Sequence, residues 1–439
     1  MSKKLPPRFE VKIEKFSFAG EGVGRYGGRE VFVYGGLPGE TVSVRPLKKR
    51  RKGITAGFLE VIKPAAARRP AVEDHFFSCS PWQIIPEELQ LKYKQELAER
   101  MFRELAEKSP QSDPGIVGGE RFWHYRNKME FSFTENKSGE PSLALHKRGS
   151  RYECWPLKSC AIAHERINES AGEIIKTLAA RNIKREQLKY LLIRYSYFED
   201  KCLAALFVAD ENFPVLSAVA PGLTGWRIIY SDPRTPATVT TKVLHEEGRD
   251  YLIEEISGLK LKYYFDSFFQ TNPPAFSGPL DYLKDNIRPG GTLIDLYSGV
   301  GTIGLSLARN FERVISLEFD LRASEAARFN LSMNKIANAE VIGGAAEKQD
   351  LPVILSKADT VIVDPPRTGL HPKVTKAILA KAPENFIYIS CNPLTQARDF
   401  AFLKKKYRVR RWRLFDLYPQ TPHMESVLIM ERERWWKIF

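Results

Sequence analysis

Residues Thr292 to Leu305 read TLIDLYSGVGTIGL, and this stretch decides the fold. Thr292 to Tyr297 form an apolar run of the kind that makes a parallel strand buried on both faces. Glycines then break the run, and LSLARN opens a helix. After about residue 268 strands and helices continue to alternate, which is the pattern of a nucleotide-type α/β domain. Gly299, Gly301 and Gly304 make a G-x-G-x-x-G. Alone, that pattern serves chain packing or a dinucleotide such as NAD as readily as another ligand. Two acidic residues move the reading towards S-adenosylmethionine. Asp295 precedes the glycines at the strand end, where a carboxylate can meet the ligand's amino group. Glu318 closes the next strand, RVISLEFD, 14 residues after Gly304, and can accept hydrogen bonds from both ribose hydroxyls. A methionine moiety carries no phosphate, so these glycines serve backbone approach more than anion binding.

Further along, VIVDPPRTG (Val361 to Gly369) sets three β formers before Asp364, then two prolines that continue neither helix nor sheet. Open α/β sheets keep their ligands at such carboxyl ends of strands. A proline stop after a core strand is the plainer alternative. FIYISCNP repeats the design one strand later, with Cys391 at the tip. A lone cysteine is ordinarily an inert small hydrophobe. At a strand end near a helix start, in a basic protein, its thiol pKa is expected to fall towards the working range. LYPQTPHMESVLIM puts His423 and Glu425 in a loop before another apolar strand, and His423 receives no chemical role.

A thiol, a carboxylate and a methyl-donor pocket fit one chemistry. Carbon 5 of uracil is too weak a nucleophile to take a methyl group directly. Adding a thiolate at carbon 6 makes an enolate that can, and a base must later remove the carbon-5 proton so that the cysteine is expelled. Cys391 fits the nucleophile and Glu425 the base. Asp364 could hold the pyrimidine or the cofactor in place.

The net charge of +14 suggests a polyanionic partner, nucleic acid ahead of an acidic membrane. Residues 1–70 carry sixteen Lys and Arg against six Glu, so most of the excess lies there. Short glycine-punctuated strands between about 8 and 63 read as a small β-barrel. Lys48, Lys49, Arg50, Arg51 and Lys52 form an unbroken basic run between two expected strands, either a solvated loop or a clamp on phosphates. No apolar run approaches the roughly eighteen residues that span a membrane, and the N-terminal MSKKLPPRFE has no apolar signal core. Five scattered cysteines argue against a disulfide framework and for a reducing cytoplasm. Nothing points to an obligate protein partner.

Pro86 to Glu107 reads as one amphipathic helix. From about 118 to 260 strands dominate, interrupted by a helix near 163–180. Arg126 stands among Trp123, His124 and Tyr125, a mixture suited to stacking and phosphate contact or, equally, to core packing. The expected organisation is a multidomain α/β protein: an OB-like barrel over 1–66, a central mainly-β domain over 67–260 and a Rossmann-like domain over 261–439. Lys404 to Arg413, KKKYRVRRWR, is either further RNA surface or a solvated helix end and edge strand.

The segments FFQTNP, DLYSGVGTIGL, VIVDPPRTGL, YISCNP and HMESV, in this order, resemble the RNA 5-methyluridine (uracil-5) methyltransferase family over nearly the whole chain. The N-terminal barrel resembles the TRAM domain, an RNA-binding module. The resemblance implies a class I methyltransferase domain with Cys391 as nucleophile and Glu425 as base. It implies that Gln270, Glu318 and Asp364 contribute to the pocket for S-adenosylmethionine and uracil, with Tyr297 lining the cofactor. It also implies that the helix at 86–107 packs on the catalytic domain. Several members of the family bind a four-iron cluster through C-x5-C-x2-C and a distant cysteine. Cys79 and Cys160 match two of those places, but Glu73 and Trp82 hold the others, and the position of Cys154 is open. Iron–sulfur ligation generally takes four thiolates, so no cluster and no metal are expected. Two other readings stay open: an RNA cytosine-5 methyltransferase, and a non-catalytic RNA-binding protein on this scaffold. DPPRTG lacks the cysteine that cytosine enzymes tend to place beside the prolines. A radical-type enzyme is excluded by the absence of C-x3-C-x2-C.

Overall fold

The computed structural model describes residues 6–433 apart from 52, 108–109, 111–113, 149, 151–152, 218 and 236–238. Five strands close the N-terminal barrel: β1 (Phe9–Phe16), β2 (Gly22–Tyr26), β3 (Arg29–Val33), β4 (Thr41–Arg50) and β5 (Gly53–Lys63). Strict alternation in FEVKIEKF sends Phe9, Val11 and Ile13 inward, where they meet Val31, Val33, Val42, Val44 and Ile54. Gly24 lets the barrel close, because a Cβ there would stand 2.0 Å from the Lys12 carbonyl oxygen. The basic run differs from expectation. Lys48, Lys49 and Arg50 end β4 and pair with Thr55, Ile54 and Gly53, since the turn at Arg51 is tight enough for the ladder to reach it. Lys52 lies outside the described residues.

The chain leaves the barrel through α1 (Phe76–Cys79) and α2 (Glu87–Leu105), then β6 (Ile116–Gly118). The buried face of α2 carries Leu97, Ala98, Met101 and Phe102. The Phe102 ring meets Trp412 at 4.8 Å and Phe400 at 5.8 Å, so this helix lies on the C-terminal sheet. The central sheet comprises β7 (Lys128–Glu135), β8 (Pro141–His146), β9 (Cys154–Pro156), β10 (Leu188–Ser196), β11 (Lys201–Val208), β12 (Leu223–Tyr230) and β13 (Lys242–Gly248). Helix α3 (Glu165–Ala180) buries Ile167, Ile174 and Leu178 with Phe131, Leu191 and Leu206 of this sheet.

A hairpin of β14 (Tyr251–Ile256) and β15 (Leu259–Tyr264) follows. The expected division after residue 260 falls inside β15. Leu252, Leu261 and Tyr263 bury both with Phe276, Leu280 and Leu283 of the C-terminal domain and with Leu192, Leu203 and Phe207 of the central sheet, so the hairpin joins the two.

The C-terminal domain then runs α4 (Pro273–Asn286), β16 (Thr292–Leu296), α5 (Thr302–Ser306), β17 (Arg313–Glu318), α6 (Leu321–Met333) and β18 (Ala339–Gly343). It continues with α7 (Leu351–Leu355), β19 (Thr360–Val363), α8 (Pro372–Lys381), β20 (Asn385–Ser390), α9 (Pro393–Leu403), β21 (Tyr407–Asp416) and β22 (Glu425–Arg432). The sheet order is β18-β17-β16-β19-β20-β22-β21-β6. Strands β16 to β20 pair in parallel, and β22 enters antiparallel beside β20. The order reverses between β16 and β19, which opens a crevice at their carboxyl ends. In the run Lys404 to Arg413, Lys404 bonds the Ala106 carbonyl at 2.6 Å and Arg408 pairs with Glu431 at 3.2 Å, while Lys405, Lys406, Arg408 and Arg411 are exposed. Strand β6 covers β21 only beyond this run, at Leu414 to Asp416. Among the described residues no helix is long and apolar enough to cross a membrane.

Candidate active site

Strand register brings the site together. Leu296 pairs with both Leu317 and Val363, so Tyr297, Glu318 and Asp364 stand level, one residue beyond those pairs. Ser390 pairs with Ser426 across the antiparallel junction. One further step places Cys391 opposite Glu425, where Cα atoms lie about 4.5–5.5 Å apart. Glu425 is the first residue of β22 rather than a loop residue, and Phe415 of β21 fixes its other side.

Short loops hold the Cys391 end rigid. The Asn392 backbone N–H donates to Ser390 Oγ at 3.1 Å, and its side chain donates to the Arg367 carbonyl at 2.8 Å. Thr395 Oγ1 donates to the same carbonyl at 3.3 Å, so the loop after Asp364 is tied to the start of α9. The consequence for the thiol is opposite to the sequence expectation. Burial pushes the Cys391 pKa up to about 12; the Glu425 and Asp364 carboxylates act the same way, and Arg367 only partly opposes them. The lowered value foreseen from a basic protein and a helix start fails because the thiol is buried and, beyond that, because its nearest charged neighbours are mostly acidic.

Those carboxylates are perturbed too. Burial, reinforced by Asp364, holds the Glu425 carboxyl well above its ordinary range, against a hydrogen bond from Tyr418 and the Arg367 charge. Glu425 is 2% exposed, and its Oε1 has no hydrogen-bond partner among the described residues. Burial pushes Asp364 up to about 7. Burial and Arg367 push His423 down to about 3, so its imidazole is uncharged at neutral pH.

On the cofactor side, Glu318 organises the glycine turn: Oε2 accepts from Gly299 N at 2.7 Å and Oε1 from Asp320 N at 2.8 Å. Tyr297 and Gly301 take positive φ values of 65° and 90°; for Tyr297 that is the strained side of backbone space. Asp295 is fully buried, its Oδ2 accepts from Gly304 N at 2.9 Å, and burial raises its pKa to about 8. Asp295 therefore ties down the glycine turn through Oδ2. The tight approach of Gly304, where a Cβ would sit 2.6 Å from Asp295 Oδ2, explains the third glycine. The Tyr297 and Ser298 hydroxyls and Asp295 Oδ1 are buried without partners among the described residues. Such orphaned atoms beside a glycine turn fit a polar ligand.

The FFQTNP segment straps three parts together. Asn127 N donates to the Thr271 carbonyl at 2.9 Å, and Asn272 Nδ2 donates to the Leu417 carbonyl at 3.0 Å. Gln270 between them is buried, and Phe269 stacks on Tyr263 at 4.0 Å. Arg126 is half-buried and donates through Nε to the Lys128 carbonyl at 2.9 Å. Of the basic run, Lys48, Lys49 and Arg51 are exposed, whereas Arg50 pairs with the buried Glu21, bonds Thr55 at 2.6 Å and lies over Phe32 at 4.4 Å. Arg50 is exposed as well, so it is tied to the barrel and open to solvent at once.

Sequence reading missed Arg367 and Tyr418, and gave Asn127 no separate role within the aromatic-basic stretch around Arg126. Arg367 sits in the DPPRTG stretch and carried the only available signal. Both side-chain atoms of Asn127 are buried and unpartnered among the described residues, and Tyr418 is placed by a loop whose fold no local pattern encodes. That loop is clamped from outside: Lys94 Nζ lies 2.5 Å from Asp416 Oδ1 and donates to the Tyr418 carbonyl at 3.1 Å. Gln420 N donates to Gln90 Oε1 at 2.8 Å.

Comparison with known proteins agrees with this geometry. Residues 240–433 match the family described as tRNA (uracil-5-)-methyltransferase, and residues 8–52 match the TRAM domain. An uncharacterized RNA methyltransferase of Caldanaerobacter subterraneus is 33% identical, covering 96% of this chain and 98% of that protein. Another from Clostridium acetobutylicum is 30% identical over 97% of each. The fold is similar to that of the Pyrococcus abyssi tRNA (uracil-54, C5)-methyltransferase crystallised with S-adenosyl-L-homocysteine, with a TM-score of 0.78, 22% identity and coverage of 96% and 100%. The chain belongs to the RNA methyltransferases of the tRNA (uracil-5-)-methyltransferase family and carries a TRAM domain at its N-terminal end.

Proposed function

We propose that this enzyme transfers a methyl group from S-adenosylmethionine to carbon 5 of a uridine in tRNA or ribosomal RNA, through a covalent bond between Cys391 and carbon 6. The observation that carries the reading is the placement of Cys391 opposite the buried Glu425 at the mouth of the crevice. S-Adenosylmethionine supplies an electrophilic methyl group when bound. Glu318 would hold its ribose, the backbone at Gly299 and Gly301 would let it approach, and Tyr297, Asp364 and Gln270 would line the shared pocket.

The target base must leave its stack to reach Cys391, at a cost of a few kcal/mol that protein contacts offset. Because the thiol is held protonated, its proton passes to the neighbouring Asp364 carboxylate as the sulfur bonds to carbon 6, which leaves Glu425 free for the later step, and returns to the sulfur when the cysteine is expelled. Once carbon 5 carries the methyl group, Glu425 removes its proton and the carbon–sulfur bond breaks, restoring Cys391. Burial raises the proton affinity of Glu425, which strengthens it as a base once it is ionised. Lys48, Lys49, Arg51 and Arg126 would contact phosphates.

The reading is tested by digesting RNA to nucleosides after incubation with enzyme and methyl donor, and from cells lacking the gene. 5-Methyluridine is expected with the native enzyme and none with Cys391→Ala. Unchanged 5-methyluridine formation by Cys391→Ala would overturn the covalent mechanism, and 5-methylcytidine would identify a cytosine enzyme instead.

A further inference from the structure

A second cluster lies outside the active site, between the barrel and the central sheet. Glu73, His75, Cys79 and Cys160 bring one ligand atom each to within 4.8 Å of all the others. The four-iron cluster of some relatives does not fit here. Trp82 takes one of its four positions and is a core residue, 1% exposed, packed on Phe16 at 5.2 Å. Cys154 lies instead beside His146 Nδ1 at 3.4 Å, and Cys202 donates to the Arg166 carbonyl at 3.6 Å. Only two thiols face the cluster, and four thiolates are what such a cluster takes.

What remains is a mixed donor set. We propose that Cys79 Sγ, Cys160 Sγ, His75 Nε2 and the Glu73 carboxylate bind a single zinc ion, as a structural site that replaces the cluster. Two thiolates with an imidazole and a carboxylate suit tetrahedral zinc. Zinc bonds of about 2.3 Å to sulfur and about 2.0–2.2 Å to nitrogen and oxygen set neighbouring ligand atoms roughly 3.3–3.8 Å apart. His75 Nε2 and Glu73 Oε1 are 3.3 Å apart, already one edge of such a tetrahedron.

An independent observation points the same way. His75 is 6% exposed, and its Nε2 has no hydrogen-bond partner among the described residues despite the nearby carboxylate. A buried imidazole nitrogen that faces a carboxylate and two thiols without a well-formed hydrogen bond to any of them fits a group that shares one central ion. The surrounding groups orient the donors as outer partners of a metal do. Ala161 N donates to Glu73 Oε1 at 2.6 Å, Gln83 Nε2 to Glu73 Oε2 at 2.9 Å, and Ser80 Oγ lies 3.0 Å from Cys79 Sγ.

The site would staple two distant segments. Cys79 ends α1, whose Phe77 contacts Phe58 of the barrel at 5.9 Å. Cys160 belongs to the turn whose Ala161 and Ile162 carbonyls accept from His124 N and Arg126 N at 2.9 and 2.8 Å. From there Tyr125 Oη donates to the Pro419 carbonyl of the catalytic loop at 3.0 Å. Zinc would thereby hold the RNA-facing wall against the barrel linker, with no part in the methyl transfer itself.

The test is elemental analysis of the full-length protein purified without chelator, followed by titration of the chelated protein with zinc chloride. About one zinc per chain is expected, lost in Cys79→Ser and Cys160→Ser and kept in Cys154→Ser. The thermal midpoint of the chelated native chain should rise on adding zinc, a readout that does not depend on the variants folding. Cobalt substitution should give the visible bands of a tetrahedral thiolate site, weakened in His75→Ala. Four irons per chain, a Cys79–Cys160 disulfide by mass, or a metal-free protein whose midpoint zinc does not move would each overturn the proposal.

Discussion

Cys391 stands at the end of a catalytic strand among carboxylates, whereas Cys79 stands behind the barrel with a second thiol, an imidazole and one carboxylate. Both are partly buried and both are free thiols. In the first cluster the neighbours share a crevice, and the acidic groups keep the thiol protonated until a substrate arrives. In the second the neighbours converge on one point from two segments, and the donors suit a metal. What a cysteine can do is therefore set by the polar atoms around it more than by its exposure.

Removing the acid–base partner should have the largest effect. Glu425→Gln is expected to lower kcat by roughly 10²–10⁴-fold while RNA affinity stays nearly unchanged. Steady-state rates and filter binding would measure this, and a parallel loss of affinity would mean that Glu425 holds substrate instead. The next effect is on stability. Lys94 and Asp416 are both buried, and Lys94→Ala leaves the Asp416 carboxylate uncompensated. Denaturant titration should show a loss of about 3–5 kcal/mol. A loss near zero would show that α2 does not brace the catalytic loop.

Alkylation sharpens the contrast between the thiols. The Cys391 pKa is raised to about 12, so its thiolate fraction, and with it the iodoacetamide rate of the free enzyme, should rise roughly tenfold per pH unit through the alkaline range below that value. A plateau near neutral pH would contradict the acidic pocket. Cys79 should instead become reactive at constant pH when chelator is added. The smallest effect concerns the barrel. Lys48→Ala and Lys49→Ala should weaken RNA binding uniformly and each reduce the salt slope by about 0.7. Arg50→Ala should chiefly destabilise the barrel, because its guanidinium is committed to Glu21.

Sequence made the scaffold legible where local chemistry is enough. The apolar run before Asp295, the double proline after Asp364 and the Asn–Pro after Cys391 each mark a strand end without any tertiary knowledge. What escaped depends on register and on partners far along the chain. The thiol pKa was misjudged because Glu425 lies 34 residues beyond Cys391 and meets it only through the antiparallel pairing of β20 and β22. The bond from Gly304 N to Asp295 Oδ2 was also out of reach, because it depends on how tightly the glycine turn closes over the strand end. Five consecutive cations resembled a loop, although a hairpin ladder extends to Arg50. His75 was invisible as a donor because the cysteine spacing that suggested a cluster does not include it.

The most direct measurement is mass mapping of the enzyme–RNA species formed by Glu425→Gln with methyl donor present. The account predicts a stable adduct in which Cys391 is bonded to a uridine that already carries its methyl group, since addition and transfer precede the blocked proton removal. No adduct, or one on another cysteine, would contradict the pairing of Cys391 with Glu425.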